Sequence, residues 1–256
     1  MVRGLYTAYT GMLNQQHRLD TITNNLANSA TTGYKREGSV AQAFDEVLMT
    51  KLKDGSESYV DKNIGKLNLG VKIGENYTDY GQGSFKETGN DFDLALGGDG
   101  FFEISFTNKA GVTSTKYTRD GSFTLNKDGY LVTKDGDFVQ GQGGDIFLST
   151  IADIRVGSQG DIYEDGALVD TLVLLDFEDY DYLEKYGENM YQEVEGAIPK
   201  EATATVTQGF LEASNVNVIS EMVEMITITR AYESNQKVIQ AIDETLDKAV
   251  NSVGAI

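Results

Sequence analysis

The side chains best suited to chemistry are scarce in this chain of 256 residues. Its single histidine, His17, lies among Gln15, Gln16 and Arg18 in a polar stretch. Cysteine is absent, which excludes disulfide bonds, thiol catalysis and cysteine-ligated metals. One histidine in a polar stretch supplies neither a Ser-His-Asp triad nor a cluster of metal ligands. We therefore predict no catalytic residue and no metal site, and we expect His17 to lie at a surface or an interface.

Three glycine-rich segments have the composition of ligand-binding loops but lack residues that such loops need. Residues 97–100 contain neither the Lys nor the Ser/Thr of a phosphate-binding loop, and they precede a strand pattern. Residues 126–129 resemble the start of a calcium loop, without the glutamate that binds calcium through both oxygens. Residues 141–145 resemble one turn of a calcium-binding β-roll, which needs several repeats. We predict turns at all three places and no cofactor.

Acidic residues dominate the charge, with 40 Asp and Glu against 21 Lys and Arg. Glycoside hydrolases place two carboxylates beside a sugar bond, but such pairs arise by chance in so acidic a chain, and tryptophan is absent. A glycosidase is therefore kept only as the alternative from the enzyme class. The net charge of −19 repels phosphate backbones and anionic lipid, so we expect no binding to nucleic acid. The most acidic stretch, residues 161–195, has no role that the sequence identifies.

Hydropathy provides no candidate for membrane insertion. No run approaches about 18 consecutive apolar residues. Residues 1–30 also lack the continuous apolar core of a secretory signal. We therefore expect no membrane insertion and no cleaved signal peptide, while export by a dedicated machine stays open.

Both ends of the chain carry an apolar repeat of seven residues, which predicts amphipathic helices over residues 1–30 and from Val218 onward. Asn217 is the predicted N-cap of the second helix, and turn-forming residues at 28–33 end the first. Apolar stripes of this kind pair either within one chain or between subunits, and periodicity does not decide which. The repeat positions are Leu5, Met12, Leu19, Ile22 and Leu26 at one end, and Met225, Tyr232, Ile239, Ile242 and Leu246 at the other.

Between the helices, apolar and polar residues alternate between clusters of Gly, Asn and Asp, which is typical of strands. Strands are predicted over residues 101–106, 122–125, 130–133 and 171–175, with a hairpin loop at Asn126–Gly129. We predict an α+β fold in which the long N- and C-terminal helices pair as a coiled coil, with a central β-rich, mainly antiparallel body.

Three parts follow from this division of the chain. Residues 1–30 and 215–256 form the expected helical coiled-coil domain. Residues 31–69 form a connecting segment, and residues 70–208 form the β-rich body domain.

Four blocks of sequence resemble flagellar rod and hook proteins, in the same order and over nearly the whole chain. The two blocks within the body span residues 93–102 and 117–123. On these motifs the chain is identified as a member of the flagellar basal-body rod family. The terminal blocks contain Asn24, Asn25, Leu26, Ala27, Asn28, Gly33, Tyr34 and Lys35, and then Ser214, Asn215, Val216, Asn217, Arg230, Ala231, Tyr232 and Glu233.

The resemblance implies a structural subunit of the bacterial flagellar basal body, with no enzymatic activity and no cofactor. Such subunits self-assemble helically into the axial tube that transmits torque from the motor to the hook. The heptad residues of both terminal helices are then expected at the assembly interface, in the inner wall of the tube. The implied partners are further copies of the chain, neighbouring rod and hook subunits, and the flagellar type III export apparatus, which exports without a cleaved signal peptide.

Within the family, the length and residues 2–6 are most similar to distal rod members. Proximal rod members are nearly as similar to this chain, and hook members are usually longer than it. Phe44 and Leu48 have the Phe-x-x-x-aliphatic spacing that resembles the export-gate signal of rod and hook substrates, although a single apolar helical turn has the same spacing. Thr32 stands where many members carry proline, which we expect to leave residues 28–33 less rigid. A secreted β-rich binding module is the alternative from the binding class.

Overall fold

The computed structural model describes residues 2–50, 63–109, 111–149, 154–187 and 189–253. It confirms the α+β fold, with a helix at each end and mainly antiparallel sheets between them. The chain divides into two compact units. The terminal unit comprises Met1–Ala27, Glu37–Asp79 and Asn217–Ile256, and the body unit comprises Asn28–Arg36 and Tyr80–Val216. The predicted division of the chain at residues 30, 69 and 208 stays a prediction, because the two units do not show which parts of the chain fold on their own.

The terminal unit consists of two long helices and short strand pairs. Strand β1 pairs with β4, and β2 pairs with β3 in antiparallel register. A π-helical turn at Ala249–Val253 follows the second helix. In the part of this unit that the structure describes, the elements are α1 (Val2–Ala27), β1 (Arg36–Ala43), β2 (Val47–Thr50), β3 (Asn63–Leu67), β4 (Val71–Asp79) and α2 (Val218–Lys248).

Local chemistry determines where α2 begins. The side-chain oxygen of Asn217 accepts hydrogen bonds from the backbone N–H groups of Ile219 and Ser220, which have no partner inside the helix. The predicted N-cap is confirmed. No helix in the described residues is long and apolar enough to cross a membrane.

The body unit is built from short strands. Its largest sheet has the order β17-β18-β8-β7-β11-β10-β9, with β12 beside β11 and with β16 pairing to both β7 and β19. The smaller sheets are β13-β14-β15, β20-β6 and β21-β5. Their bounds are β5 (Phe85–Glu87), β6 (Leu94–Gly97), β7 (Phe101–Thr107), β8 (Thr113–Thr118), β9 (Thr124–Leu125), β10 (Leu131–Val132), β11 (Phe138–Gly141), β12 (Gly144–Asp145), β13 (Ile154–Val156), β14 (Asp161–Glu164), β15 (Ala167–Thr171), β16 (Leu174–Phe177), β17 (Leu183–Tyr186), β18 (Met190–Glu193), β19 (Pro199–Glu201), β20 (Thr205–Gln208) and β21 (Phe210–Glu212).

Strand β7 is buried on both faces and separates two apolar clusters. Phe102 and Ile104 belong to the larger cluster and Phe101 to the smaller one, because successive side chains of a strand point to opposite faces. The smaller cluster is mainly aromatic, and it comprises Phe101, Tyr117, Phe177, Leu183 and Tyr191.

The predicted hairpin is confirmed, and one predicted strand is corrected. β9 and β10 pair antiparallel across Asn126–Gly129, where the Asn126 side chain accepts hydrogen bonds from the N–H groups of Asp128 and Tyr130. The predicted strand over 171–175 is two strands, β15 and β16. Leu172 and Val173 separate them because their N–H groups bond to the carbonyls of Gly160 and Gln140 instead of continuing one ladder.

Candidate structural site: a buried ion cluster and a helix pair

Three charged side chains meet inside the body unit. Lys35, Arg119 and Glu212 are each at most 2% exposed. The Lys35 Nζ lies 2.6 Å from Glu212 Oε1, and the Arg119 Nη1 lies 3.4 Å from Glu212 Oε2. A buried charge is costly unless it is paired and hydrogen-bonded. Here the carboxylate of Glu212 is the shared counter-charge of Lys35 and Arg119.

Backbone groups complete this ion cluster. The N–H of Gly83 donates to Glu212 Oε1 at 2.8 Å, and Lys35 Nζ donates to the carbonyl of Gly81 at 3.0 Å. The guanidinium of Arg119 lies 5.3 Å from the ring centroid of Phe101, within range of a cation–π contact. The cluster therefore joins the charged groups to the smaller aromatic core.

Hydrogen bonds hold the backbone around the cluster in place. The N–H of Gly33 donates to the carbonyl of Glu212 at 2.9 Å, and β21 pairs with β5. Asn215 accepts from the N–H of Arg36 at 2.8 Å and donates to the carbonyl of Gly81 at 3.0 Å. Four segments that are far apart in sequence, around residues 35, 82, 119 and 213, are thus fastened to one another within the body unit.

Thr32 forms hydrogen bonds that hold the 28–33 turn, whereas the sequence predicts that this turn is less rigid without proline. Its hydroxyl donates to Asp120 Oδ1 at 2.8 Å, and its carbonyl accepts from Asn189 Nδ2 at 3.0 Å. Asp120 also accepts from the N–H of Ser122. The side chain of Thr32 therefore anchors the 28–33 turn in a way that proline, which has no hydroxyl, does not.

Gly33 occupies a position that only glycine tolerates. Its φ is +69°, and a Cβ at this position would lie 2.5 Å from the backbone nitrogen of Asp120. We expect Gly33→Ala to lower the free energy of unfolding by about 3 kcal/mol, because left-handed strain and a backbone clash add together. Urea unfolding of the full chain measures this change.

Gly89 provides the matched control for Gly33. It has nearly the same φ, +68°, but a Cβ there meets no atom of the described residues within 4 Å. Gly89→Ala is expected to lower the free energy of unfolding by only about 1 kcal/mol, because it adds left-handed backbone strain without a clash. Equal effects at the two positions would contradict the close backbone approach at Gly33.

Polar groups beside the aromatic core have shifted pKa values with identifiable causes. Burial raises the pKa of the Tyr180 hydroxyl, and the Asp176 carboxylate to which it donates at 2.7 Å raises it further. Burial acts to raise the pKa of Asp176 as well, but hydrogen bonds from Tyr180, Lys200 and the N–H of Phe177 outweigh it and hold that pKa below its usual value. The carboxylate thus stays ionised and bonded, which is a structural role.

The seven-residue repeats of the terminal unit face one another in an antiparallel helix pair. Gly4 lies against Ile242, and Gly11 lies against Asn235. Farther along, Arg18 Nη2 donates to Glu224 Oε1 at 2.7 Å, and Asn25 donates to the buried Glu221 at 3.4 Å. The helices are therefore in contact within one chain, and coiled-coil geometry stays a prediction.

All ten predicted interface residues are buried or half-buried on the helices of this single chain. Ile22 is 5% exposed, and the other nine are half-buried. Ile228, at the other position of the same repeat, is 3% exposed. Whether these residues also contact neighbouring subunits stays a prediction.

The family-motif residues are distributed over both units. In the terminal unit Asn25 is fully buried and exchanges hydrogen bonds with the backbone of Glu37, whereas Asn24, Ala27, Arg230 and Glu233 are exposed. Asn217 caps α2, and Leu26, Ala231 and Tyr232 are half-buried.

In the body unit, Tyr34 is 1% exposed, with the Lys185 ammonium 4.2 Å from its ring centroid. The hydroxyl of Ser214 accepts from the N–H of Val216. Asn28 is half-buried and accepts a backbone hydrogen bond from Thr31.

The proposed export signal lies on extended backbone. Phe44 is half-buried between β1 and β2, its ring 6.3 Å from that of Tyr6, and Leu48 is exposed on β2. The alternative, one apolar helical turn over Phe44–Leu48, is wrong because residues 47–50 form a strand. The export role itself stays a prediction.

The partners that the sequence did not identify are Arg119, Glu212 and Glu221. Arg119 lies inside the motif block at 117–123, but the sequence assigns no role to it, to Glu212 or to Glu221. No local signal separates these residues from the many other charged residues of the chain. The residues with which they interact lie too far away in sequence for any rule of residue spacing to pair them.

The geometry of the described residues offers no reactive site. The charges of the ion cluster are enclosed, the helices bury one another's apolar faces, and no group of three His, Asp or Glu side chains in the described part of the chain is placed to hold a metal ion.

Comparison with known proteins identifies the class to which the chain belongs: structural proteins of the bacterial flagellum. Three family models match: "Flagella basal body rod protein" over residues 5–35, "Flagellar hook protein FlgE/F/G D1 domain" over 95–164, and "Flagellar basal body rod FlgEFG protein C-terminal" over 207–252. The chain belongs to the flagellar basal-body rod protein family.

Curated relatives match along their whole length. The flagellar basal-body rod protein FlgF of Caulobacter vibrioides is 32% identical over 259 residues, covering 100% of both chains. The flagellar basal-body rod protein FlgG of Bacillus subtilis is 34% identical, covering 98% of this chain and 99% of its own. The flagellar hook-basal body complex protein FlhO of Bacillus subtilis is 30% identical over the full length of both. These relatives are structural proteins, so the prediction that the chain is not an enzyme is confirmed.

Proposed function

We propose that the chain is a structural subunit of the flagellar rod, which assembles helically with further copies and with neighbouring rod and hook subunits. The observation that carries the proposal is similarity to rod proteins along the full chain, including both helices of the terminal pair. An antiparallel pair made from the two ends of the chain forms a stiff rod-shaped element, which suits a part that transmits torque. The glycosidase and binding-module alternatives have no observation in their favour.

The distal position in the rod is the finer part of the proposal. Its support is the length of the chain and the resemblance of residues 2–6 to distal members. Relatives of both the FlgF and FlgG types match at similar identity, so sequence similarity does not separate the two positions. Immunogold labelling of isolated basal bodies separates them, because a distal subunit is labelled on the hook side of the rod.

A tagged chain tests the assignment to the rod. A short epitope inserted at the exposed turn Asp165–Gly166 leaves both helices and the ion cluster intact. We expect the tagged chain in purified hook–basal bodies, and we expect cells that lack the gene to make no hook or filament. The assignment fails if the chain is absent from basal bodies, or if the deletion strain builds complete flagella.

Export by the flagellar type III apparatus, without a cleaved signal, completes the proposal. Its support is the family resemblance and the Phe44–Leu48 pattern. The same tagged preparation tests it, since mass spectrometry of the assembled chain is expected to recover the residues of α1 uncleaved. Loss of the first part of α1 from the assembled protein would contradict export without processing.

A further inference from the structure

A cavity of about 580 Å³ lies within the body unit, beside the 28–33 turn. Its wall comes from four places: that turn, the residues that end and follow β8, the loop between β10 and β11, and the residues around the start of β18. The volume falls in the range of about 300–1,000 Å³ that is typical of binding sites for small ligands. The structural role of the chain assigns no occupant to this space.

The wall of the cavity is polar and mainly acidic. Its charged side chains are Asp120, Asp135, Asp137 and Lys134, three carboxylates and one ammonium group with a net charge of −2 when all are ionised. Threonine and serine supply most of the other polar side chains, and no aromatic ring lines the cavity among the described residues. A wall of this kind repels anions and favours a cation that donates hydrogen bonds.

Two acceptor atoms of residues in this wall lack a donor within the described part of the chain. Asn189 donates from Nδ2 to the carbonyl of Thr32, while its Oδ1 is buried and accepts no hydrogen bond. The two hydrogen bonds that Asp120 accepts, from the hydroxyl of Thr32 and the N–H of Ser122, both end on Oδ1 and leave Oδ2 without one. Buried polar atoms without a partner are rare in native structures. A ligand with N–H groups supplies donors of the kind that both atoms lack.

Asp137 is the most enclosed carboxylate of the cavity, at 9% exposure. Burial raises the pKa of Asp137, and the negative charge of Asp135 raises it further. Hydrogen bonds from the N–H of Thr107 and from the side chain of Thr133 oppose the increase in this pKa without cancelling it. A carboxylate whose ionised form is disfavoured in this way is stabilised by a cation placed beside it.

The chemistry of the wall narrows the class of cation. No group of three His, Asp or Glu side chains in the described residues is placed to hold a metal ion, so the carboxylates do not converge on one point. A quaternary ammonium ion has no N–H to donate and is recognised by aromatic rings, which the described part of this wall lacks. A primary ammonium group donates three hydrogen bonds, and two of them on one molecule suit acceptors that are spread over a cavity.

We propose that this cavity binds a small aliphatic diamine or polyamine. One ammonium group lies at Asp137, and the other lies at the acceptors of Asp120 and Asn189. Two ammonium groups balance the net charge of the wall, and the aliphatic chain between them packs on the apolar side chains of Ile104 and Met190. The binding goes beyond the structural role of the chain and does not depend on assembly, so it is measured on the free full-length protein.

Isothermal titration calorimetry with putrescine, the four-carbon aliphatic diamine, tests the proposal. We expect one putrescine to bind per chain. Butylamine, which carries a single ammonium group, is expected to bind at least about tenfold more weakly, because one charge-assisted contact is lost. Butanediol, which has the same length without charge, is expected not to bind. Equal affinity for butylamine and putrescine would overturn the proposal in favour of a site for one basic group, such as a lysine side chain of another protein.

Two neighbouring substitutions at the rim of the cavity are expected to change the affinity in opposite directions. Asp135→Asn removes a carboxylate and is expected to weaken putrescine binding about threefold, whereas Lys134→Gln removes a like charge and is expected to strengthen it about threefold. Both side chains are exposed, so neither change is expected to alter the fold. Asp165→Asn and Lys127→Gln make the same changes of charge at exposed positions outside the cavity, and these controls are expected to leave the affinity unchanged.

The buried carboxylate provides the largest expected effect. Asp137→Asn is expected to weaken putrescine binding at least about tenfold, because the amide keeps the shape of the side chain but loses its charge. Far-ultraviolet circular dichroism checks that the variant is folded, and the two rim variants decide the question if it is not. The absence of putrescine binding to the wild-type chain would overturn the proposal. Several diamines bound per chain, or equal changes in the rim variants and their controls, would also overturn it, since an acidic chain attracts cations without a specific site.

Discussion

Glu212→Gln is expected to lower the free energy of unfolding by about 3–5 kcal/mol, the usual cost of removing one partner from a buried ion pair. Glutamine keeps the shape of the side chain but removes the negative charge that Lys35 and Arg119 share, and both cations are nearly fully buried. Two cations then face each other where the local dielectric constant is low. Urea unfolding, followed by near-ultraviolet circular dichroism of the buried tyrosines, measures the loss.

Two control variants make this prediction specific. Lys35→Met leaves Glu212 paired with Arg119, so we expect a loss of only about 1–2 kcal/mol. Glu46→Gln breaks an exposed pair with Lys66, whose atoms lie 2.9 Å apart, and is expected to cost less than about 1 kcal/mol. A Glu212→Gln chain that is as stable as Glu46→Gln would show that the cluster does not hold the body unit together.

Ile228→Asp is expected to separate the terminal helices, at a cost of about 3–5 kcal/mol. Ile228 is 3% exposed on the face of α2 that contacts α1, and a carboxylate there is buried without a partner. The expected result is a marked loss of helical far-ultraviolet circular dichroism while the tyrosine signal of the body unit is retained. Cells that carry the variant are expected to be non-motile, because the proposed rod is built from this pair.

The neighbouring position is the matched control for Ile228. Thr229→Asp places the same carboxylate one residue further along, at an exposed site, and is expected to leave helicity and motility near the wild-type level. Leu246→Asp, which is half-buried, is expected to fall between the two. If Ile228→Asp behaved like Thr229→Asp, the apolar faces of α1 and α2 would not be what holds the pair.

Patterns that depend on near neighbours were predictable from the sequence. The seven-residue repeats located both helices, and Asn217 was recognised as the N-cap because its side chain bonds to N–H groups only two and three residues away. The hairpin at Asn126–Gly129 followed from turn chemistry for the same reason. The α+β class and the family rest on such local signals. The strand over 171–175 failed because hydrogen bonds to distant segments override its local pattern.

The tertiary structure alone decided which distant residues of the body unit are paired. Lys35 and Glu212 are separated by 177 residues, and Arg119 and Glu212 by 93, so no spacing in the sequence pairs them. Each is a charged residue that would ordinarily be solvated in so acidic a chain. Periodicity likewise located the apolar face of each terminal helix. It did not show whether that face packs within the same chain or on another subunit, because a heptad repeat specifies a face and not what covers it. Folding decides both questions, since burial creates the low dielectric in which these charges need one another and brings the two helices within contact distance.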